Sequence, residues 1–96
     1  MSLVARALAH PVRIQIIELL AVQTECRGHE LFSELPLAQS TVSGHLRVLR
    51  EAGVVSSSPV GTSMVYCLVP QVLEQFAATV DALGSTAERC AIEGCR

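Results

Sequence analysis

Tryptophan and lysine are missing from this chain of 96 residues, and only three positions, Phe32, Tyr66 and Phe76, are aromatic. A core without large rings has to be assembled from Leu, Val, Ile and Ala, as in many small helical proteins. Without lysine, all seven cations are Arg. The planar guanidinium fork favours directed contacts to phosphate or guanine over diffuse attraction. No run approaches the ~20 consecutive apolar residues of a membrane span. The N-terminus has no charged segment leading into an apolar run and a cleavage site. A cytoplasmic protein is therefore expected, with its four cysteines mostly reduced and available for thiol chemistry. A Gly-rich phosphate loop, a metalloprotease motif and a Gly-x-Ser-x-Gly elbow are all absent. Cys26 and His29 could imitate a nucleophile pair, but three residues on one small helix leave no cleft. No enzyme is expected. Internal repeats and low-complexity segments are missing too.

What is present is concentrated in residues 37–55. Val42, Leu46, Leu49 and Ala52 fall at the spacing of one buried helix stripe. The opposite face starts with small hydrogen-bonding residues, Gln39, Ser40, Thr41 and Ser43, and ends with Arg47 and Arg50. Gly53 stops the helix, as a residue tolerant of positive φ does. A short helix with a lean, polar, basic face fits a DNA major groove. The plainer reading is an ordinary amphipathic surface helix, so the flanking segments decide.

Upstream, residues 10–20 form a second amphipathic helix, with Pro11 suited to its first turn. Residues 30–35 give about a turn and a half of helix, broken by Pro36 and Leu37. Helix, tight turn, helix is the helix-turn-helix unit. Downstream, residues 54–57 and 64–68 read as strands, with Pro59, Val60, Gly61 and Thr62 as the turn between them. A two-stranded ribbon after the reading helix is a wing. The fold class is mostly α (α+β), a winged helix-turn-helix with a two-stranded β-wing.

These residues carry a resemblance. Ala7-Leu8-Ala9-His10-Pro11-Val12-Arg13, the 37–55 run and the 61–68 strand resemble the ArsR/SmtB family of small winged-helix repressors. The most specific part is the run from Ser40 through Gly53. The resemblance implies a homodimer on an inverted-repeat DNA operator, with the first and last helices as the dimer interface. It covers about the first seventy residues. Two departures stand out. The family wing usually carries Arg or Lys near its tip, whereas residues 56–63 hold no charge. Gly44 replaces a larger polar residue, which leaves base reading to Gln39, Ser40, Thr41, Ser43 and Arg47. Arg50, Thr62 and Ser63 would add backbone contacts. His45 has two readings, an imidazole donating to a phosphate or a helix histidine bonded locally.

Ninety-six residues suit one compact domain, placed at residues 1–83, with residues 84–96 as a flexible Cys-containing tail. Leu3, Val4, Leu8, Leu73, Phe76, Val80 and Leu83 have no obvious cover in so small a domain. Pairing with a second copy would bury them. The formal charge of −2 argues against a strongly basic nucleic-acid binder. Residues 36–70, however, carry Arg47 and Arg50 against Glu51 alone, the one net-positive segment. A modest non-specific affinity and a shallow salt slope follow. The uncharged wing and negative total also suit an interaction module that binds a protein partner and not DNA.

The cysteines set the expected inducer. Thiols at a helix N-terminus have depressed pKa values, and Cys26 precedes a helix beginning near Gly28. In the resembled family this segment often supplies thiol ligands for arsenite, antimonite, cadmium or lead, usually as Cys-x-Cys. Here Cys26-Arg27-Gly28 lacks the second thiol. Cys90 and Cys95 could close on one soft ion, with Gly94 allowing a turn. Three sulfurs from Cys26, Cys90 and Cys95 suit trivalent arsenic or antimony, or a soft divalent metal, as inducer. No resident cofactor is required. The redox alternative links two of the same thiols as a disulfide or persulfide. The third reading leaves the tail cysteines unligated. Cys67, in the second wing strand, reads as a packed small apolar residue. A zinc or nickel site on the last helix is disfavoured, because Glu74 and Asp81 there have no His beside them.

Overall fold

Two residues with special backbones, Pro11 and Gly53, bracket the part of the chain that carries the fold. In a computed structural model of the protein the described residues are 1–22, 28, 32–33 and 35–86. In order they form α1 (Ser2–Leu8), α2 (Pro11–Ala21), α3 (Gln39–Glu51), β1 (Val55–Val60), β2 (Ser63–Leu68) and α4 (Pro70–Thr86). His10 precedes a proline and is extended (φ −147°, ψ 126°), as steric clash with the proline ring requires. It is also the N-cap of α2: its Nδ1 accepts from the Val12 N–H at 3.2 Å.

α3 packs through Val42, Leu46 and Leu49, all buried. Each such side chain contributes about 1.5–3 kcal/mol on burial. The helix ends in a Schellman arrangement. The Gly53 N–H donates to the Arg50 carbonyl, and the Val54 N–H donates to the Leu49 carbonyl at 3.0 Å. Gly53 takes φ +82°, so the chain turns sharply and drives Val54 and Val55 straight into the core.

The wing is one antiparallel pair, with Val55 opposite Leu68 and Val60 opposite Ser63. This corrects the expected turn. Pro59 and Val60 belong to β1, and only Gly61 and Thr62 form the loop. A two-residue loop with positive φ at its first position alone (Gly61, +63°) matches a type II′ hairpin turn. Pro59 is tolerated because each strand of a two-stranded ribbon is an edge. The Val69 N–H closes the base of the wing on the Val54 carbonyl at 2.8 Å. Tyr66 is buried there, edge-on to Phe32 with ring centroids 6.1 Å apart.

Of the helix expected over 30–35, the described part is a 3₁₀ turn at Phe32 and Ser33, closed by the Leu35 N–H on the Phe32 carbonyl. α1 buries Val4 and Ala7 against α2 and α3. In α4, Val72, Leu73 and Phe76 pack partly buried on the core. The helix then continues through Gly84 to Thr86. None of the described helices is long and apolar enough to cross a membrane.

Two glycine replacements should move stability in opposite directions. At Gly53 an added Cβ meets only Val72 Cγ2 at an ordinary 3.8 Å. Gly53→Ala should therefore cost the left-handed backbone term of about 1–2 kcal/mol and no clash energy. Gly44 lies mid-helix with nothing within 4 Å of an added Cβ. Gly44→Ala should stabilise by about 0.5–1 kcal/mol. Urea unfolding of both variants checks this; equal shifts of the same sign would contradict the assigned geometry.

Candidate nucleic-acid interface

Because its apolar stripe is locked inward, α3 turns the other side of its cylinder to solvent. Gln39, Ser40, Thr41, Ser43, Gly44, Arg47 and Arg50 are all exposed. The structure thus brings the expected base-reading residues onto one open surface. The N-cap is Ala38, which has no side-chain cap to offer. The Thr41 and Val42 N–H groups both bond to the Ala38 carbonyl. The first amide donors, at Gln39 and Ser40, precede these bonds and point along the helix start. A helix N-terminus of this kind suits a phosphate oxygen. Thr62 and Ser63 are exposed at the wing tip.

Two of the arginines are engaged. Arg47 Nε donates to Glu51 Oε1 at 3.2 Å, an i,i+4 pair with both side chains largely in solvent. An exposed pair of this type is worth ~0.3–0.5 kcal/mol, so it holds the Arg47 guanidinium only weakly. The four-residue spacing of Arg47 and Glu51 is the sequence signal for this pair. Arg50 Nη1 donates to Ser57 Oγ at 3.4 Å and so ties the helix to β1.

On the other flank of α3 lies a group that the sequence did not connect. Arg13 Nε, on α2, donates to His45 Nδ1 at 3.2 Å across 32 residues. Arg13 Nη1 donates to the Arg6 carbonyl at 3.3 Å. The His10 and His45 rings stand 4.5 Å apart, tilted by 54°. His45 is therefore bonded between helices, and the local-helix reading of it is set aside. Its pKa is held below the ordinary histidine value, by burial first and then by the positive potential of His10 and Arg13.

The expected dimer residues divide three ways. Val4 is buried in the chain's own core, because it sits on the face of α1 that packs on α2 and α3; it is not free for a partner. Leu8, Leu73 and Phe76 lie partly buried at the core margin. Leu3, Val80 and Leu83 are 60%, 51% and 65% exposed, far more than apolar side chains of that size favour.

Cys67 corrects a second expectation. It is disulfide-bonded, not a reduced packing residue. Its side chain is partly buried on β2, opposite Ser56. The chain's other cysteines, Cys26, Cys90 and Cys95, lie outside the described residues, as does His29. Among the described residues no three His, Cys, Asp or Glu side chains converge as a metal site would need.

Comparison with known proteins converges on the same elements. Residues 10–57 match the family described as bacterial regulatory protein, arsR family. The uncharacterized HTH-type transcriptional regulator Rv0081 of Mycobacterium tuberculosis is 41% identical over 73 residues, which is 75% of this chain and 64% of that protein. The HTH-type transcriptional repressor SmtB of the same organism is 44% identical over 63 residues, 66% of this chain and 46% of that one. The chain thus spans less than two thirds of the length of either relative. Among solved structures, the homodimeric winged helix-turn-helix DNA-binding domain Mb0332 of Mycobacterium bovis gives a TM-score of 0.67 at 26% identity, over 92% of this chain and 86% of that one. With an exposed reading helix, a two-stranded wing and these relatives, the chain belongs to the ArsR family of winged helix-turn-helix DNA-binding transcriptional regulators.

Proposed function

We propose that the protein is a homodimeric repressor that reads an imperfect inverted repeat and leaves it when its thiols are oxidised. The observation that carries DNA reading is the exposed polar face of α3 from Gln39 to Arg50, held rigid by Val42, Leu46 and Leu49. Two such helices would enter successive major grooves about one helical turn apart. The exposed Leu3, Val80 and Leu83 supply apolar surface for the partner copy, and a homologous domain is homodimeric.

The disulfide at Cys67 favours the redox version of induction over the metalloid version. The chain has four cysteines. Cys67 is oxidised in the structure, whereas the three sulfurs that an arsenite site would require, Cys26, Cys90 and Cys95, lie outside the described residues. Oxidation of two thiols by hydrogen peroxide forms one S–S bond; two electrons and two protons pass to the peroxide, which leaves as two waters. Cys67 lies on β2 opposite Ser56, so the bond is anchored on the ribbon that follows α3. A ligand or modification that favours a conformer with misplaced reading heads weakens DNA binding by the same coupling factor. Trivalent arsenic, antimony or a soft divalent metal on Cys26, Cys90 and Cys95 is the competing inducer.

Operator binding tests the reading helix. Against a duplex selected by the protein from a random pool, Arg47→Ala should lose about 1–3 kcal/mol of specific affinity, the worth of a base-edge contact. Ser40→Ala and Thr41→Ala should each lose less, with unchanged circular dichroism and dimer mass. Equal affinity of wild type and Arg47→Ala sinks the assignment. No DNA binding at any salt concentration would favour the protein-interaction module.

Inducer titrations separate the thiol readings. Peroxide should release reduced wild type from the duplex, dithiothreitol should restore binding, and Cys67→Ser should stay bound in peroxide. Arsenite should leave the reduced dimer on DNA. Release by arsenite that Cys90→Ser and Cys95→Ser abolish but Cys67→Ser retains would overturn the redox reading in favour of the metalloid one.

A further inference from the structure

We propose that His10, Arg13 and His45 form a proton-linked phosphate-binding site on the flank of α3 opposite the wing. The inference rests on the DNA-binding reading above and adds a second backbone contact with its own chemistry. Position supplies the first reason. His45 and Arg50 are five residues apart, hence ~140° apart around the helix. Arg50 faces the wing through Ser57, and His45 faces the start of α2 through Arg13. A helix in a major groove has a sugar–phosphate strand on either side. The uncharged wing meets one strand, and the basic cluster meets the other.

Hydrogen bonding supplies the second reason. His10 Nδ1 accepts from the Val12 N–H and His45 Nδ1 accepts from Arg13 Nε. A neutral ring that accepts at Nδ1 carries its proton on Nε2. Each imidazole thus keeps one N–H donor unspent by these bonds, 4.5 Å of ring separation apart.

Charge supplies the third. The charged and titratable groups facing His45 are His10 and Arg13 of α2; α1 contributes the Arg6 carbonyl, which accepts from Arg13. Among the described residues the ion pair is Arg47–Glu51, and no carboxylate pairs with Arg13 or with either histidine. Burial, His10 and Arg13 all disfavour a proton on His45 in the free protein. A phosphodiester reverses that balance, since an adjacent anion favours the charged form.

The step is a simple proton uptake. A solvent proton binds His45 Nδ1, and that nitrogen can no longer accept from Arg13 Nε. The guanidinium is released toward the phosphate, and the imidazolium offers a second cation. The sign follows from linkage. The His45 pKa is lowered in the free protein, and an adjacent phosphodiester would raise it. Affinity therefore increases as pH falls, by up to about tenfold per pH unit for each proton taken up.

The experiment titrates reduced wild type with its selected duplex at constant ionic strength from pH 8 to pH 6. Wild type should gain at least about fivefold in affinity over this span, in keeping with linked protonation. His45→Gln should flatten the profile, and His10→Asn, chosen to keep a capping side chain, should weaken binding as a lost phosphate donor. Arg13→Gln should weaken binding to all sequences alike and lower the salt slope by about one. Histidine ring NMR on wild type needs no variant: the His45 ring pKa should rise on adding duplex, the direction an adjacent anion imposes. A level wild-type profile, a His45 ring pKa unmoved by DNA, or a His45→Gln variant that keeps the wild-type slope overturns the proposal. If wild type binds its duplex specifically but with a level profile, only this site fails. If it binds no duplex at any pH, the DNA-binding reading fails with it.

Discussion

Everything this chain offers to a partner depends on α3 being pressed against α2 and the base of the wing by Val42, Leu46 and Leu49. Those three side chains decide which half of the helix is open. With Ile16 and Leu20 of α2 and Val54 and Val55 at the wing root, they form one continuous apolar cluster. Rotating α3 by a single residue would move its stripe by ~100°, burying Ser43, Arg47 and Arg50 and exposing Val42. No other arrangement keeps the polar groups hydrated, so the reading face is fixed by the packing behind it. Gly53 completes the device. Its positive φ turns the chain within one residue, so the wing begins in the core and not out in solvent.

The electrostatic design follows from the same economy of residues. With a net charge of −2, the molecule has little long-range attraction for DNA. Its cations act through placement. Arg47 lies on the exposed face, Arg50 braces the wing, and Arg13 joins the two imidazoles on the far flank. Short, forked contacts replace a diffuse basic patch. The wing, with serines and threonine where a cation would be effective, contributes hydrogen bonds and little charge.

Much of this was readable before the structure. The helical period of α3, its glycine stop, the Pro11 start of α2 and the ribbon after Gly53 all follow from local chemistry, because each signal lies within a few residues of its effect. The family match and the homologous folds agree with them. What local reading missed lies at a distance or depends on solvent access. Pro59 looked like a turn residue, yet a free ribbon edge accommodates it and Gly61 alone supplies the special backbone. Val4 read as partner-facing because the α1 face that meets α2 and α3 has no local signature. His45 finds Arg13 across 32 residues, a pairing no spacing rule reports. The disulfide at Cys67 was equally hidden, since strand position says nothing of which sulfur approaches.

The central claim is that two copies of the exposed α3 face read two successive major grooves. Hydroxyl-radical and dimethyl sulfate footprinting of the reduced protein on its selected duplex tests it directly. The account predicts two guarded guanine clusters about ten base pairs apart, the spacing of successive major grooves, related by two-fold symmetry and flanked by backbone protection on the same side of the duplex. A single protected cluster, protection confined to the minor groove, or no protection where binding is saturated would contradict it.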